Sequence, residues 1–492
     1  MYDAGYRVLE QELTADADSI LFHRRNSGSV VPQHERQVWE VLSCGGRRGL
    51  KDLGRRLLPR IADTRVLRAA WDWLARRRSS PGPDGVCFSD FDDSGAWFLC
   101  RFIAARIAGG SYWELDEKIV PIPKAGDPRR FRKIAVQNVA DRVAGRACSL
   151  ILGPVVEHLF SPFSFGYRPR VGRLEALGTV LALAQSRGHW TWISADIERA
   201  FDKIPICRLL DACRQLFPDD VLNLIEWLAD KGQARGERQG SPASPMFFNI
   251  FADRYLDRPW TRRHPDLPLL RYADDLLVPC ANRAQALQAS EDLARLARSA
   301  GTPLKPLVDG GLVDLTAAGQ KLVWLGFELS LERGEPAIRI AERAWQRLAL
   351  RLAAAQAQPL SPLAARQIVK GWLQQLGPCL EFEETELVIS RVLDVCQQQG
   401  FDEMPLFTEL AGIWESEFKR WQRIREDQRQ RLPQRLRLIR ERYLPGRPLC
   451  EILGRYESPD QPPEDTSAAM NAAAAEMREQ GCPSASVDGS VP

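Results

Sequence analysis

Leu269-Leu270-Arg271-Tyr272-Ala273-Asp274-Asp275-Leu276-Leu277-Val278 sets two adjacent carboxylates between two short apolar runs. Apolar runs split by a turn-forming pair predict a β-hairpin with Asp274 and Asp275 at its tip, one on each side of the pleat. Like charges held so close repel and lose hydration, so such a pair asks for a cation. Taken alone, Asp-Asp would be a solvated hairpin tip, and a second acidic strand changes that reading. Thr191-Trp192-Ile193-Ser194-Ala195-Asp196-Ile197 is rich in β-branched and aromatic residues and predicts a strand. Trp192, Ser194 and Asp196 share one of its faces. Asp196, Asp274 and Asp275 together form a hard-oxygen set suited to two Mg²⁺ ions, with Mn²⁺ as an alternative. One ion would activate an attacking hydroxyl and the other would hold a triphosphate, the arrangement that phosphoryl transfer requires.

Length and composition bound the rest. The 492 residues leave room for two to four domains, and 45% hydrophobic with 27% charged content is ordinary for a soluble chain. No run approaches the roughly 18 apolar residues of a membrane span. Met1 to Glu10 show no signal pattern, so a cytoplasmic location is expected. The eleven cysteines are odd in number and lack paired spacing, which predicts reduced thiols and neither a disulfide frame nor a zinc site. Charge is unevenly spread. Seven acids against one base follow Tyr456, a net of −6, so that with +3 overall the first 455 residues carry +9. A basic body with an acidic end suits a polyanion-binding protein.

Glu35 to Leu42, Gly49 to Leu58 and Thr64 to Arg77 have helical spacing and no evident chemistry. Ile119 to Lys124, a turn at Ala125 to Pro128 and Arg129 to Val136 predict a hairpin with basic residues on both arms. Opposite a two-metal site, such a cationic fork would clamp a triphosphate. Ala341 to Gln358 and Pro362 to Leu376 carry apolar stripes suited to a small helical unit. Phe418 to Arg447 then concentrates arginines, among them Arg423, Arg431 and Arg435, with few acids between, which favours nucleic-acid backbone binding. Trp414, Trp421 and Tyr443 would either stack on bases or anchor that helix.

These residues carry a resemblance. From about Gly82 to Leu329, and more weakly to Leu376, the chain resembles bacterial reverse transcriptases of the group II intron type. Tyr272-Ala273-Asp274-Asp275 and the Asp196 box match the family's catalytic carboxylate motifs. Gln239-Gly240-Ser241-Pro242-Ala243-Ser244-Pro245 matches its templating loop, and Ser164-Phe165-Gly166-Tyr167-Arg168-Pro169 its fingers motif. Trp324-Leu325-Gly326-Phe327 resembles the primer grip, and Val369-Lys370-Gly371-Trp372 a thumb-helix marker.

The resemblance implies roles. Asp196, Asp274 and Asp275 would be catalytic and would hold metal, joined by the Ile197 carbonyl. Lys124, Arg132, Phe201, Gln239 and Gly240 would bind the nucleotide, Phe201 by packing under the sugar where a 2′-hydroxyl would clash. Arg168, Trp324, Leu325 and Gly326 would contact primer and template. Lys133 and Gln137 stand where the family usually has proline, so Arg129 and Arg130 stay rival clamp residues. Lys305 lies near the place of the family's general-acid lysine but out of register, and its role stays open.

The fold expected is α+β, a right-hand polymerase with a helical N-terminal extension (1–75), fingers and palm (76–340), a helical thumb (341–417), a basic helical extension (418–455) and a disordered acidic tail (456–492). The activity implied is RNA-directed DNA polymerisation, adding dNTPs to a DNA or RNA primer on an RNA template. A free-standing bacterial enzyme of phage defence or CRISPR adaptation is the setting favoured, with a dedicated non-coding or intron RNA and Cas or other defence proteins as candidate partners. The alternatives are an intron-encoded maturase and a non-catalytic RNA-binding splicing factor.

Overall fold

The computed structural model describes residues 30–44, 46–77, 80–112, 116–124, 127–229, 236, 240–306 and 311–443. The expected acidic tail, Gln239, and the side chains of Lys124, Arg129 and Arg130 lie outside those residues.

Helices α1 (Val30–Cys44), α2 (Gly46–Ile61) and α3 (Thr64–Ala75) form where the apolar spacing predicts them, and α4 (Asp93–Ala108) follows. Helix α3 starts at Asp63, whose side chain accepts the Arg65 N–H at 2.8 Å and so satisfies one of the orphan donors of the first turn. The basic hairpin is β1 (Lys118–Lys124) paired antiparallel with β2 (Asp127–Val136). After it come α5 (Val139–Glu157) and α6 (Arg173–Arg187). Strand β3 (Thr191–Asp196) then leads to α7 (Ala200–Lys203), α8 (Ile206–Arg214), α9 (Asp219–Ala229) and α10 (Ser244–Ala252). A single π-helical turn, Asp253–Asp257, joins α10 to α11 (Arg258–Arg263).

The acidic hairpin is β4 (Leu270–Tyr272) and β5 (Asp275–Cys280), followed by α12 (Arg283–Ser299) and β6 (Leu312–Asp314). Strands β7 (Lys321–Trp324), β8 (Phe327–Glu332) and β9 (Glu335–Ile340) form a separate antiparallel meander. Four helices close the described chain: α13 (Glu342–Ala355), α14 (Ser361–Leu373), α15 (Thr385–Gln398) and α16 (Phe407–Tyr443). The mixture of helices and antiparallel sheets is the α+β class expected.

The central sheet runs β4-β5-β3-β6, every neighbour antiparallel. Strand β3 is covered on both faces, and its alternation sorts two cores. Ile193, Ala195 and Ile197 point into one core with α5 and α10. Trp192 points into the other with α6, the β7–β9 meander and α13 to α16. Asp196 shares the face of Trp192, so it emerges where the second core stops.

The N-terminal helices belong to the first core. Val38, Leu57, Ile61 and Leu67 are buried with the apolar residues of α5. His34 fastens α1 to α5, because its Nε2–H donates to the Ile151 carbonyl at 2.8 Å while Nδ1 accepts from Arg60. Burial pushes the His34 pKa down to about 4. The unfolded chain therefore binds a proton more readily than the folded one. Stability from this group is present above about pH 6.5 and is lost as pH falls towards 4, a cost on the order of 3 kcal/mol. A His34→Gln variant should show a shallower fall in melting temperature between pH 7 and 4 than the wild type.

Two expectations change. The boundary set at 417/418 falls inside α16, which runs unbroken for 37 residues. That helix is also less open than its composition suggests. Trp414 and Trp421 are fully buried, so they anchor the helix and do not offer faces to bases. Trp414 Nε1–H donates to the Leu376 carbonyl at 2.9 Å, and the chain passes so closely there that a Cβ on Gly377 would lie 2.4 Å from the Glu417 carbonyl oxygen. Among the described residues no helix is long and apolar enough to cross a membrane.

Candidate active site

The hairpin places the two acids in different ways. Tyr272 pairs with Asp275, so Ala273 and Asp274 form a two-residue turn, with Ala273 at φ 55°. Such tight hairpin turns favour left-handed backbone. Asp275 is thereby already in strand β5, opposite Asp196 in the register of the β3–β5 pair. Residues directly opposite put their side chains on the same face. The two strands are also tied beyond the pair, since Ile197 N–H donates to the Asp274 carbonyl at 3.1 Å. Asp196 and the distant Asp274-Asp275 pair therefore meet at one sheet end.

Their electrostatics follow from this closeness. Burial, then the charge of Asp196, raises the Asp274 pKa. Burial, then Asp274 and Asp196, raises that of Asp275 to about 7. Asp196 Oδ1 is buried without a hydrogen-bond partner, and the Lys305 ammonium pairs with Oδ2 of the same carboxylate. Lys305 N–H also donates to the Asp196 carbonyl at 2.8 Å. An orphaned carboxylate oxygen, two acids whose pKa is raised by burial and by each other, and a lysine drawn in from the segment after α12 are the marks of a site short of positive charge. Among the described residues no three acid, cysteine or histidine side chains form a ready cage. Mg²⁺ does not require one, because it keeps several waters and takes one or two carboxylates plus phosphate oxygens. Asp196 and Asp274 are the donors it would use, beside Asp275.

The turn is held from beneath. Arg271, 0% exposed, donates from Nε and Nη2 to Asp257 at 3.0 and 2.8 Å, and from Nη1 to Asn249 Oδ1 at 2.8 Å and the Ala273 carbonyl at 3.3 Å. Asn249 in turn donates to the Gly166 carbonyl at 2.9 Å. The π-turn at Asp253–Asp257 aims Asp257 at this arginine. Segment 163–165 runs along the hairpin edge, Phe165 N–H donating to the Arg271 carbonyl at 2.8 Å. Gly166 is the tightest point, where a Cβ would lie 2.1 Å from the Ala273 nitrogen. Gly166→Ala should therefore displace the acidic turn and lower activity by one to two orders of magnitude, while melting temperature falls by a few degrees, checked by single-turnover rates and thermal unfolding.

The other expected residues are placed as follows. Arg132 stands exposed on β2, and its charge is felt weakly at Asp274. Phe201, 8% exposed, packs edge-on to Tyr167 at 6.0 Å and against Phe248 at 5.3 Å. Gly240, at φ 128°, lies so close to β2 that a Cβ would be 2.4 Å from the Ala135 carbonyl oxygen. Leu325 and Gly326, at φ 49° and 86°, form the β7–β8 turn beside the buried Trp324.

Two arginines differ from expectation. Arg168 does not reach into open solvent. It pairs with Glu157 at 2.8 Å and donates to the Ser161 and Ser164 carbonyls at 2.7 and 2.6 Å. Arg435 does not lie on an open basic face. It donates to Gln428 Oε1 at 2.6 Å and to the Pro162 carbonyl, sits 5.3 Å over the Phe165 ring, and burial lowers its pKa to about 10. Arg431 pairs with Asp427 at 2.7 Å, whereas Arg423 is exposed.

Sequence reading missed Arg271 and Arg173. Arg173 donates to the Leu325 and Gln375 carbonyls at 3.4 and 2.9 Å and so ties the β7–β8 turn to α14.

Residues 122–307, which contain both acidic strands, match the family model for reverse transcriptase (RNA-dependent DNA polymerase). This segment is similar to reverse transcriptases. Protein YkfC of Escherichia coli is 27% identical over 36% of this chain and 49% of its own length. The retrovirus-related Pol polyprotein from type-1 retrotransposable element R2 of Nasonia vitripennis is 28% identical over 44% of this chain and 24% of its own. The putative COX1/OXI3 intron 2 protein of Saccharomyces cerevisiae is 24% identical over 40% and 24%. The chain thus spans about half the length of one relative and about a quarter of the others. Asp196, Asp274, Asp275, Lys305 and the Arg271 support all lie within the matched stretch.

Proposed function

We propose that the chain is an RNA-directed DNA polymerase, adding dNTPs to a primer 3′-hydroxyl on an RNA template. The observation that carries the reading is the direct pairing of Asp196 with Asp275, with Asp274 at the adjoining turn, inside a segment similar to reverse transcriptases. On this reading the central sheet is the palm, the β1–β2 hairpin and α5 belong to the fingers, and α13 to α15 are the thumb. Two Mg²⁺ ions, when bound, would lower the pKa of the primer hydroxyl and neutralise the departing pyrophosphate. Asp196 and Asp274 supply their oxygen ligands, joined by the Ile197 carbonyl. Arg132, with Lys124, grips the triphosphate, and the exposure of Arg132 and the effect of its charge on Asp274 support this. Gln239 and Gly240 border the incoming base, and Leu325 and Gly326 hold the primer end.

Phe201 is the sugar sensor of this scheme. Its ring is fixed between Tyr167 and Phe248, so it cannot retreat from a 2′-hydroxyl. Phe201→Val should raise ribonucleotide use relative to deoxynucleotide use by about 10- to 100-fold in kcat/KM.

Extension of oligo(dT) on poly(rA) with dTTP and Mg²⁺ tests the whole reading. Elongation is the expected result. RNA binding without elongation would support the non-catalytic splicing factor instead. The setting we favour is a cytoplasmic bacterial enzyme working apart from an intron, in phage defence or CRISPR adaptation. An intron-encoded maturase is the second reading, supported by the likeness to the yeast intron protein. Sequencing the RNA and cDNA that co-purify separates them.

A further inference from the structure

An open pocket of about 550 Å³ lies between α11 and the C-terminal half of α12. We infer that it holds the acidic segment 457–465 of the same chain. The inference goes beyond the polymerase reading and does not depend on it.

The pocket walls carry an unbalanced charge. Arg262, Arg263 and Arg295 line it together with Pro259, Asp292 and Ser299. Asp292 is the one acid of that lining, 3% exposed, and its Oδ1 pairs with Arg263 at 3.0 Å and with Arg295. Burial lowers the pKa of His264, whose Nε2 lies 3.2 Å from Oδ2, so that ring adds no charge at neutral pH. Three guanidinium groups therefore share a single carboxylate. Arg262 is exposed and has no carboxylate partner among the described residues, while Arg263 and Arg295 keep 60% and 55% of their side chains in water. Each guanidinium carries five N–H groups, so donors remain on all three for further carboxylates.

These arginines are also held in place before anything binds. Asp292 fixes the heads of Arg263 and Arg295 from below, and Arg208 of α8 donates to the Ser299 carbonyl at the end of α12. Trp260 Nε1–H donates to the Leu267 carbonyl at 2.7 Å, which locks α11 to the loop that follows it. A site fixed in this way loses less freedom when it is filled.

The path of the chain names the occupant. Helix α16 packs on α11, and in its last turn Arg440 pairs at 2.7 Å with Asp266, three residues beyond Arg263. The chain is thus delivered, at Tyr443, beside one wall of the pocket. Glu457 comes fourteen residues later, and 457–465 carries four acids, Glu457, Asp460, Glu464 and Asp465, and no base. A coil of fourteen residues spans a root-mean-square distance of about 20 Å, roughly twice the width of a helix. The tether therefore offers these acids to the pocket at an effective concentration on the order of millimolar. A free polyanion has to find the same arginines from solution. Pro459, Pro462 and Pro463 further limit the freedom that the segment gives up on docking.

The test puts a photoreactive benzophenone side chain in place of Gln461 in the full-length protein and maps the cross-linked peptides by mass spectrometry at low salt. Cross-links within one chain to α11 and to the C-terminal half of α12 are expected, and 1 M salt should weaken them. Arg262→Glu with Arg295→Glu should lower their yield on the order of tenfold. Adding Glu457→Arg, Asp460→Arg, Glu464→Arg and Asp465→Arg to that variant should restore the yield, a rescue that a merely misfolded pocket would not show. Cross-links to other parts of the chain, or a yield indifferent to the arginine changes, overturn the inference. Cross-links between two copies overturn it in favour of a second copy. Arginine changes that weaken RNA binding and leave the cross-links alone assign the pocket to nucleic acid and overturn it as well. None of these outcomes bears on Asp196, Asp274 or Asp275, so the polymerase reading stands or falls separately.

Discussion

Replacing Asp274 and Asp275 together by asparagine abolishes primer extension, by a factor of at least about 10³, and leaves RNA binding and folding intact. The expected size follows from what the carboxylates do. Each ion held there would supply several kcal/mol of charge stabilisation in the transition state, and each 1.4 kcal/mol is tenfold in rate. Asparagine keeps the shape and much of the hydrogen bonding but removes the charge that draws a cation to Asp196. Folding should not suffer, because both acids are pushed up in pKa, Asp275 to about 7, by a site that disfavours their charge. Mg²⁺ should raise the melting temperature of the wild type by a few degrees and leave the double variant unmoved. Extension at a rate near wild type in the double variant would remove Asp274 and Asp275 from the chemistry.

Arg271→Met is expected to have the second large effect. The substitution strands Asp257, 3% exposed, without its partner, and removes the donor to the Ala273 carbonyl. Breaking one side of a buried ion pair costs about 3–5 kcal/mol, or a fall in melting temperature on the order of ten degrees. The pair can be separated from its function by removing both charges. Arg271→Met with Asp257→Leu should regain most of the stability, since two apolar groups no longer leave a buried ion unpaired. Primer extension should remain well below wild type, because the turn that carries Asp274 has still lost its support. A double variant that is both stable and fully active would show that Arg271 serves stability alone.

Much of this site was legible locally. The alternation in 191–197 and the apolar runs around Asp274-Asp275 predict both acidic strands, although the tip falls one residue earlier than expected, at Ala273-Asp274, which puts Asp275 in β5. The hidden parts are those set by packing between distant segments. Lys305 gives no periodic signal, and it reaches Asp196 only because Leu304 bridges to Ile197 beyond the end of β3. Arg271 reads as one more strand residue, and nothing in composition tells a buried guanidinium from a solvated one. Arg435 did leave a trace. It lies seven residues after Gln428, which lies seven after Trp421 and fourteen after Trp414, and all four turn towards the second core, Gln428 through Thr179 of α6. A helix turns nearly twice in seven residues, so that spacing marks an inward stripe that an arginine count overlooks.

By itself the sequence determined the class of fold, the two acidic strands and the kind of chemistry they suit, because these depend on spacing over a few residues. Only the tertiary structure decided that Asp196 faces Asp275, which arginines are spent on the core, and that α16 ends beside the arginines of α11. Those outcomes depend on register and burial between segments far apart in the chain, and no local pattern encodes them.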